Sequence, residues 1–236
     1  MRIEVSLSPA LYPYRTLREH HITVAIDLLR ATTAVCAAFQ AGCSTVLPLD
    51  TLEGISKYRD MGFLIAAERG GKKVGDAEYG NSPTEYLRND MTGIKLAYST
   101  TNGTVSILRA ADADLTLVAS FANLSALCDR LSRENMDVVL LCSGWQNDFC
   151  IEDTLVAGAI IEKLRSLTAE LVIANDAANM ALALWQVAKD APYEYCQRCT
   201  HVHRLYGLGA AADVSFAFRQ DTCPVVPVLK GGMLTL

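Results

Sequence analysis

Residues 21–40 read HITVAIDLLRATTAVCAAFQ, and this stretch decides the fold. Its first part, residues 22–26, is an apolar run rich in β-branched side chains, which is typical of a strand buried on both faces. Residues 32–40 are small and apolar and indicate a helix. The same strand–turn–helix order recurs along the chain, and the strands end in small polar residues. These repeats predict an α/β fold with a mainly parallel sheet covered by helices.

The turn after this first strand carries a carboxylate, a guanidinium and two hydroxyls, from Asp27, Arg30, Thr32 and Thr33. In an open α/β sheet such a turn lies at the carboxyl end of the strand, where ligands bind. These groups suit a metal ion and an anion, although an Asp or Thr before a helix is also a common cap. The recurrence of the arrangement favours the ligand site.

Composition limits the classes of function. The chain has 236 residues and is 51% hydrophobic, which allows one domain, 1–236, or two lobes of about 1–120 and 121–236. A net charge of −5 argues against a nucleic-acid surface, which needs clustered Lys and Arg. No apolar run has membrane-spanning length, and the N-terminus lacks a signal-peptide core. With several of the cysteines in apolar patterns, we expect a cytoplasmic protein that binds neither nucleic acid nor membrane.

The strand predicted at 63–67 runs into Glu68-Arg69-Gly70-Gly71-Lys72-Lys73, which combines one carboxylate with three cations. The segment is not a Walker P-loop, because Ala66 replaces the first Gly and Lys73 replaces the Ser or Thr. It is either an anion-binding loop or a solvated, charged turn.

Two helix starts are candidate anion sites, because free N–H groups there attract negative charge. Residues 80–86, GNSPTEY, contain the capping box of Ser82 and Glu85. Residues 99–104, STTNGT, offer hydroxyls, an amide and a glycine that lets the backbone approach a phosphate closely. An ordinary helix cap with a turn glycine explains the second loop equally well.

Adjacent carboxylates, Glu152 and Asp153, open the helix predicted at 154–167. Acidic residues suit the positive end of the helix dipole, so a surface cap explains them. Beside a phosphate site they are also what Mg²⁺ needs, because Mg²⁺ takes oxygen ligands and keeps several waters. Cys142 is not the nucleophile of a Cys-x5-Arg phosphatase loop, since no Arg closes that loop.

Two other patterns do not predict sites. Cys196, Cys199, His201 and His203 have the residue types of a zinc site, but the two pairs are too close for finger spacing. The GLGAAA run at 207–212 lacks the preceding strand of a dinucleotide fingerprint.

Seven motifs, in order and over nearly the whole chain, resemble the 2-phosphosulfolactate phosphatase family. They are VAIDLLRATTA (24–34), AAERGGKK (66–73), GNSPTEY (80–86), STTNGT (99–104), ASFAN (119–123), IEDTLVAGAI (151–160) and DVSFAFRQDTCPVVPVL (213–229). The resemblance implies a three-layer α/β/α fold with a largely parallel, mixed sheet. It also implies a Mg²⁺-dependent phosphatase of coenzyme M biosynthesis that hydrolyses (R)-2-phospho-3-sulfolactate to 3-sulfolactate and phosphate.

Together, the residues and the resemblance assign roles to the polar side chains, since phosphate ester hydrolysis needs positioned cations and a metal. The metal ligands are Asp27, Glu152 and Asp153. The catalytic group is Asp27, Arg30, Glu68 and Arg69. The residues assigned to bind the small anionic phosphorylated substrate are Thr32, Thr33, Lys72, Asn81, Ser82, Thr100, Thr101, Asn102, Gly103, Thr104 and Asn123.

Residues 145–149 depart from the family pattern, which has a Gly- and Ser-containing loop with a basic residue there. A broader phosphatase for other 2-hydroxy acid phosphates is therefore one alternative, and a non-catalytic protein that binds phosphorylated metabolites is another. We expect direct attack by water rather than an aspartyl-phosphate at Asp27, because Leu29 stands where the haloacid-type pattern has a second Asp. The assembly state stays open, with a homodimer among the options.

Overall fold

The computed structural model describes residues 1–146 and 148–236. Within them, one sheet contains eleven strands, which are β1 (Arg2–Ser6), β2 (His21–Ile26), β3 (Thr45–Leu49), β4 (Leu64–Arg69), β5 (Lys72–Lys73), β6 (Lys95–Ser99), β7 (Leu115–Ala119), β8 (Asp137–Cys142), β9 (Val172–Ile173), β10 (Val228–Lys230) and β11 (Met233–Thr235). The α-helices in the same ranges are α1 (Ala31–Gln40), α2 (Pro83–Arg88), α3 (Gly103–Arg109), α4 (Leu124–Glu134), α5 (Ile151–Leu167), α6 (Asp176–Ala188), α7 (Pro192–Cys196), α8 (Thr200–Gly207) and α9 (Ala211–Ala217).

The strand order is β5-β4-β6-β3-β11-β10-β7-β2-β8-β1-β9. One parallel block consists of β4, β6 and β3, and a second consists of β7, β2, β8, β1 and β9. The hairpin of β10 and β11 is antiparallel to its neighbours and joins the two blocks. The sheet is therefore mixed and largely parallel, as predicted.

Strand β2 shows why the fold has three layers. All its residues are buried, and successive side chains point to opposite faces. Ile22, Val24 and Ile26 belong to a core with apolar residues of α4, α5 and α6. Ala25 belongs to a different core, with apolar residues of α1. Burial on both faces requires helices on both sides of the sheet, which confirms the α/β/α arrangement.

Two regions differ from the sequence pattern. Residues 51–60 have a polar-faced helical pattern, but the structure forms only a short 3₁₀ turn, Ile55–Tyr58. Gly54 precedes this turn with a left-handed φ of 66°, which interrupts a regular helix. Residues 1–18, with two prolines, suggest an irregular or edge segment, yet β1 lies between β8 and β9.

All eight cysteines are buried free thiols. They behave as small apolar side chains in the packed interior. Among the helices of the two described ranges, none combines the length and apolar character required to cross a bilayer.

Helices α5 and α6 pack closely at Gly158. A Cβ at this position would overlap the carbonyl oxygen of Ala181 and lie 2.6 Å from Cβ of Trp185. The two helices can approach this closely only because residue 158 has no side chain. The contact holds α5, whose first turn carries Glu152 and Asp153, against the rest of its layer.

We expect Gly158→Ala to lower the free energy of unfolding by about 1–3 kcal/mol, because the methyl group forces the helices apart. Urea unfolding followed by circular dichroism measures the change. The matched control is Gly207→Ala, also in a helix, where an added Cβ meets no heavy atom within 4 Å. Equal stability of the two variants would contradict the close-packing argument.

Candidate active site

A cavity of about 190 Å³ lies beyond the carboxyl ends of four strands. Asp27 follows β2, Glu68 is near the end of β4, Thr101 follows β6 and Trp145 follows β8, and all four residues line it. This is the edge of an α/β sheet at which ligands bind. The structure therefore places three of the predicted catalytic residues and four of the predicted substrate-binding residues at a single cavity.

Asp27 is held between the first turns of two helices. Its Oδ1 accepts a hydrogen bond from the backbone N–H of Ala31 at 3.2 Å. A Cβ at Gly103 would lie 2.7 Å from Oδ2 of Asp27 and would overlap Cβ of Ala31. Only glycine at residue 103 lets α3 approach the Asp27 carboxylate this closely. Gly103 therefore contributes to the site because it has no side chain.

The Asp27 carboxylate is 7% exposed, and burial raises its pKa to about 6. The Ala31 N–H and the imidazole of His201 oppose this rise, whereas the charges of Glu68 and Glu152 add to it. Several negative groups therefore share a volume with little solvent. Such a site gains stability when a cation binds.

Glu68 connects the β4–β5 hairpin to the loop before α3. Its Oε1 accepts a short hydrogen bond from the Gly71 backbone N–H. The backbone N–H and the hydroxyl of Thr101 lie 3.4 Å from the two carboxylate oxygens. The segment predicted as an anion loop or a charged turn is thus a tight hairpin with one buried carboxylate facing the cavity.

Arg30 is fixed by a buried ion pair that the local sequence pattern does not reveal. Its Nη1 lies 2.8 Å from Oδ2 of Asp213, and its Nη2 donates to the Gly71 carbonyl at 2.8 Å. Oδ1 of Asp213 accepts from the hydroxyls of Ser82 and Thr84. Within residues 1–146 and 148–236 these contacts use two of the five guanidinium donors, and Arg30 also lines the cavity.

Four of the residues predicted to bind substrate have side chains that donate hydrogen bonds to backbone carbonyls. The hydroxyls of Thr32, Thr33 and Thr104 donate to carbonyls within the turns that contain them. The amide of Asn123 donates to the carbonyls of Val118 and Val225. None of these four is among the cavity-lining residues.

The other predicted residues divide between the cavity and its surroundings. Arg69 donates to the Ser99 hydroxyl, and Lys72 is exposed on β5. Ser82 caps α2 by accepting from the Glu85 N–H, as its capping box predicts. The predicted residues that line the cavity, besides the catalytic Asp27, Arg30 and Glu68, are Asn81, Thr100, Thr101 and Asn102.

Helix α8 supplies two side chains that the sequence pattern did not predict to be in the site. Nδ1 of His201 lies 2.8 Å from Oε1 of Glu152, and the imidazole stacks on Trp145 with ring centroids 6.0 Å apart. The Arg204 guanidinium lies 5.6 Å from the Trp145 ring centroid. Both α8 residues line the cavity. The pattern gave no signal for Arg204, and it presented His201 only as part of a poorly spaced zinc motif.

Asp153, unlike Asp27, does not line the main cavity, and both of its carboxylate oxygens accept hydrogen bonds from the backbone. Its two oxygens accept hydrogen bonds from the backbone N–H groups of Leu28 and Gly144, at 2.8 and 3.0 Å. Burial, together with the charges of Asp27 and Glu152, raises the pKa of Asp153 well above its usual range. The residue joins the turn after β2 to the loop after β8.

The donors suited to a metal divide into two sets. In residues 1–146 and 148–236, the one group of three His, Cys, Asp or Glu donors within 4.8 Å of one another is Cys150, Glu152 and His201. Asp27, Glu152 and Asp153 do not form a group at that spacing, so their joint binding of Mg²⁺ stays a prediction. The carboxylates that line the main cavity are Asp27 and Glu68, and hard oxygen donors of this kind fit Mg²⁺.

We expect Asp213→Asn to destabilise the fold by roughly 3 kcal/mol, because it leaves the buried Arg30 charge without a counterion. Thermal and urea unfolding measure the loss. The matched control is Asp137→Asn, whose partner Arg2 is 58% exposed at its side chain, so that solvent screens the unpaired charge. A loss no larger than that of the control would show that Arg30 does not depend on Asp213.

Comparison with known proteins identifies the family. The family model described as 2-phosphosulpholactate phosphatase matches residues 7–232. A relative from Caldanaerobacter subterraneus subsp. tengcongensis is 34% identical over 93% of this chain and 92% of its own length. One from Synechococcus sp. is 37% identical over 84% of this chain and 83% of its own. Both relatives carry the name "Probable 2-phosphosulfolactate phosphatase". The chain therefore belongs to the 2-phosphosulfolactate phosphatase family.

Proposed function

We propose that this protein is a Mg²⁺-dependent phosphoric monoester hydrolase that converts (R)-2-phospho-3-sulfolactate to 3-sulfolactate and phosphate, a step of coenzyme M biosynthesis. The observation that carries the proposal is the main cavity, where buried carboxylates and a buried guanidinium meet beyond the strand ends. The family of the chain supports the same reaction.

The cavity offers the groups that such a substrate requires. The substrate carries a phosphate, a sulfonate and a carboxylate, so cations and N–H donors must face it. Arg30 and Arg204 line the cavity, and Asn81, Thr101 and Asn102 supply neutral polar groups. Catalysis of phosphoryl transfer depends on positioning and charge stabilisation more than on covalent chemistry, and this donor set fits that requirement.

We assign Mg²⁺ to the cavity carboxylates Asp27 and Glu68. Asp153 and Glu152, which are engaged by backbone N–H groups and by His201, contribute negative charge behind them. Such a cation neutralises phosphoryl oxygens and makes a bound water more acidic. The raised pKa of Asp27 supports the assignment, because a buried carboxylate without a cationic partner gains most from an added cation.

The residues of the chain position the substrate and move protons. Arg30, fixed by Asp213, presents its free N–H groups to a phosphoryl oxygen. The Nδ1–H of His201 donates to Glu152, which leaves Nε2 as an acceptor in the neutral imidazole. His201 lines the cavity and is the group suited to take a proton from the attacking water.

A broader substrate range is supported by one specific observation. Trp145 and Gln146 line the cavity, and they lie in the segment that departs from the family pattern. Asn147 of that segment lies outside the described residues. Because Trp145 and Gln146 form part of the cavity wall, they can change which 2-hydroxy acid phosphate fits.

Phosphate release from a panel of 2-phospho acids tests the function. We expect the highest kcat/KM for (R)-2-phospho-3-sulfolactate, with activity abolished by EDTA and restored by Mg²⁺ but not dependent on Zn²⁺, because the proposed ligands are hard oxygens. 2-Phospholactate, which lacks the sulfonate, is the matched control substrate. Full activity after exhaustive chelation would reject the metal assignment, and tight binding of the panel without turnover would identify a non-catalytic binding protein.

We expect Asp27→Asn to remain folded while kcat falls on the order of a hundredfold, about 2.7 kcal/mol in the barrier. Asn keeps the shape and capping ability of Asp but removes the charge that would bind the cation. Circular dichroism and phosphate release on one preparation separate folding from catalysis. Wild-type turnover by the folded variant would show that the site is centred on another residue.

Stability provides a second readout of the same substitution. The Asp27 pKa is about 6 in the folded protein, against 3.8 for an ordinary Asp. The metal-free wild type should therefore lose stability relative to Asp27→Asn as the pH rises from about 4 to 6, because the buried group must ionise. Asp60→Asn, at an exposed position, serves as the control and should show no such difference.

A further inference from the structure

A second cavity, of about 350 Å³, adjoins the first. Trp145 and His201 line both, and their stacked rings, inclined at 9°, form part of the wall between them. The second cavity is also lined by Cys150, Glu152 and Cys199. The proposed phosphatase reaction uses His201 and Glu152 but gives no role to a thiol, so the cysteines of this cavity call for a separate explanation.

The three side chains of the compact donor group are held by two helices. Cys150 is the N-cap of α5, Glu152 is the second residue of α5, and His201 is the second residue of α8. One ligand atom from each of these residues lies within 4.8 Å of the other two. All three residues are buried, and the hydrogen bond between Nδ1 of His201 and Oε1 of Glu152 holds two of the three side chains together.

We propose that Cys150, Glu152 and His201 form a Zn²⁺ site with its open position towards the second cavity. Zinc favours sulfur, imidazole nitrogen and carboxylate oxygen, and sites with three protein ligands keep the fourth position for water or another ligand. Mg²⁺ does not suit this donor set, because it requires oxygen ligands. The proposed Mg²⁺ and Zn²⁺ sites therefore differ in ligand chemistry. The Mg²⁺ site has the hard oxygen donors Asp27 and Glu68, in the first cavity.

The local charge favours a cation. Glu152, Asp153 and Asp27 are buried carboxylates near Cys150, and their negative charges attract a metal ion. When Zn²⁺ binds, the Cys150 S–H proton is released to solvent as the Zn–S bond forms. Glu152 binds as a carboxylate, and the His201 imidazole binds through one ring nitrogen while its single proton stands on the other.

A Co²⁺ titration of the full-length, chelator-treated protein in excess Mg²⁺ tests this site without reference to phosphatase activity. Mg²⁺ occupies oxygen sites and leaves the thiolate to Co²⁺. We expect one equivalent of Co²⁺ to give a near-ultraviolet sulfur-to-cobalt charge-transfer band, which added Zn²⁺ removes. Absence of the band in the wild type would overturn the proposal, whatever the outcome of the phosphatase assays.

Two variants identify the sulfur. Cys150→Ser should abolish the band, whereas Cys128→Ser, which replaces another buried thiol on α4, should keep it. A band that persists in Cys150→Ser would assign the metal to another cysteine, such as Cys199, and would reject the site. If Cys150→Ser does not fold, X-ray absorption of the Zn²⁺-loaded wild type decides. One sulfur at about 2.3 Å with nitrogen and oxygen ligands at about 2.0–2.1 Å supports the site, and an all-oxygen shell rejects it.

Discussion

The buried pair of Arg30 and Asp213 joins parts of the chain that are far apart in sequence. The two residues are 183 positions apart, and their contacts extend to the Gly71 carbonyl and to the hydroxyls of Ser82 and Thr84. The turn after β2, the β4–β5 hairpin, α2 and α9 therefore meet at one ion pair. Without it the buried guanidinium would be unpaired, at a large cost in stability. The main cavity depends on this junction. Among the cavity-lining residues in the part of the chain that is described, Arg30 is the one buried arginine, and the ion pair fixes it.

Close to this pair, the fold tolerates a surplus of negative charge. Asp27, Glu68, Glu152 and Asp153 are all buried, and the structure offsets them with N–H donors and with His201 rather than with Lys side chains. Burial of like charges raises the pKa values of Asp27 and Asp153 and weakens the fold at neutral pH. A purely structural role would be better served by neutral side chains. This surplus of buried negative charge is the physical basis of the cation site proposed above.

The sequence allowed part of this site to be predicted, for a physical reason. Parallel strands end at one edge of a sheet, so Asp27, Glu68 and Thr101 could be grouped from local patterns alone. The sequence pattern did not distinguish side chains that face the cavity from hydroxyls that donate to a carbonyl of their own turn. Thr32 is an example, because its hydroxyl donates to the Asp27 carbonyl. Nor could it reveal Asp213, because α9 reaches the site only through the tertiary fold. Four strands lie between β6 and β2, about 24 Å at ordinary strand spacing, so their meeting at one cavity is a property of the whole sheet.

His201 links the two cavities, since its ring lines both and its Nδ1 is bonded to Glu152. The two roles proposed for His201 therefore compete for one ring, because an imidazole that holds a metal ion through one nitrogen carries its proton on the other and cannot accept a proton from water. The Trp145 ring stacks on this imidazole, and the Arg204 guanidinium lies 5.6 Å from the Trp145 ring centroid. Occupation of the proposed zinc site would therefore oppose the proposed proton transfer in the main cavity.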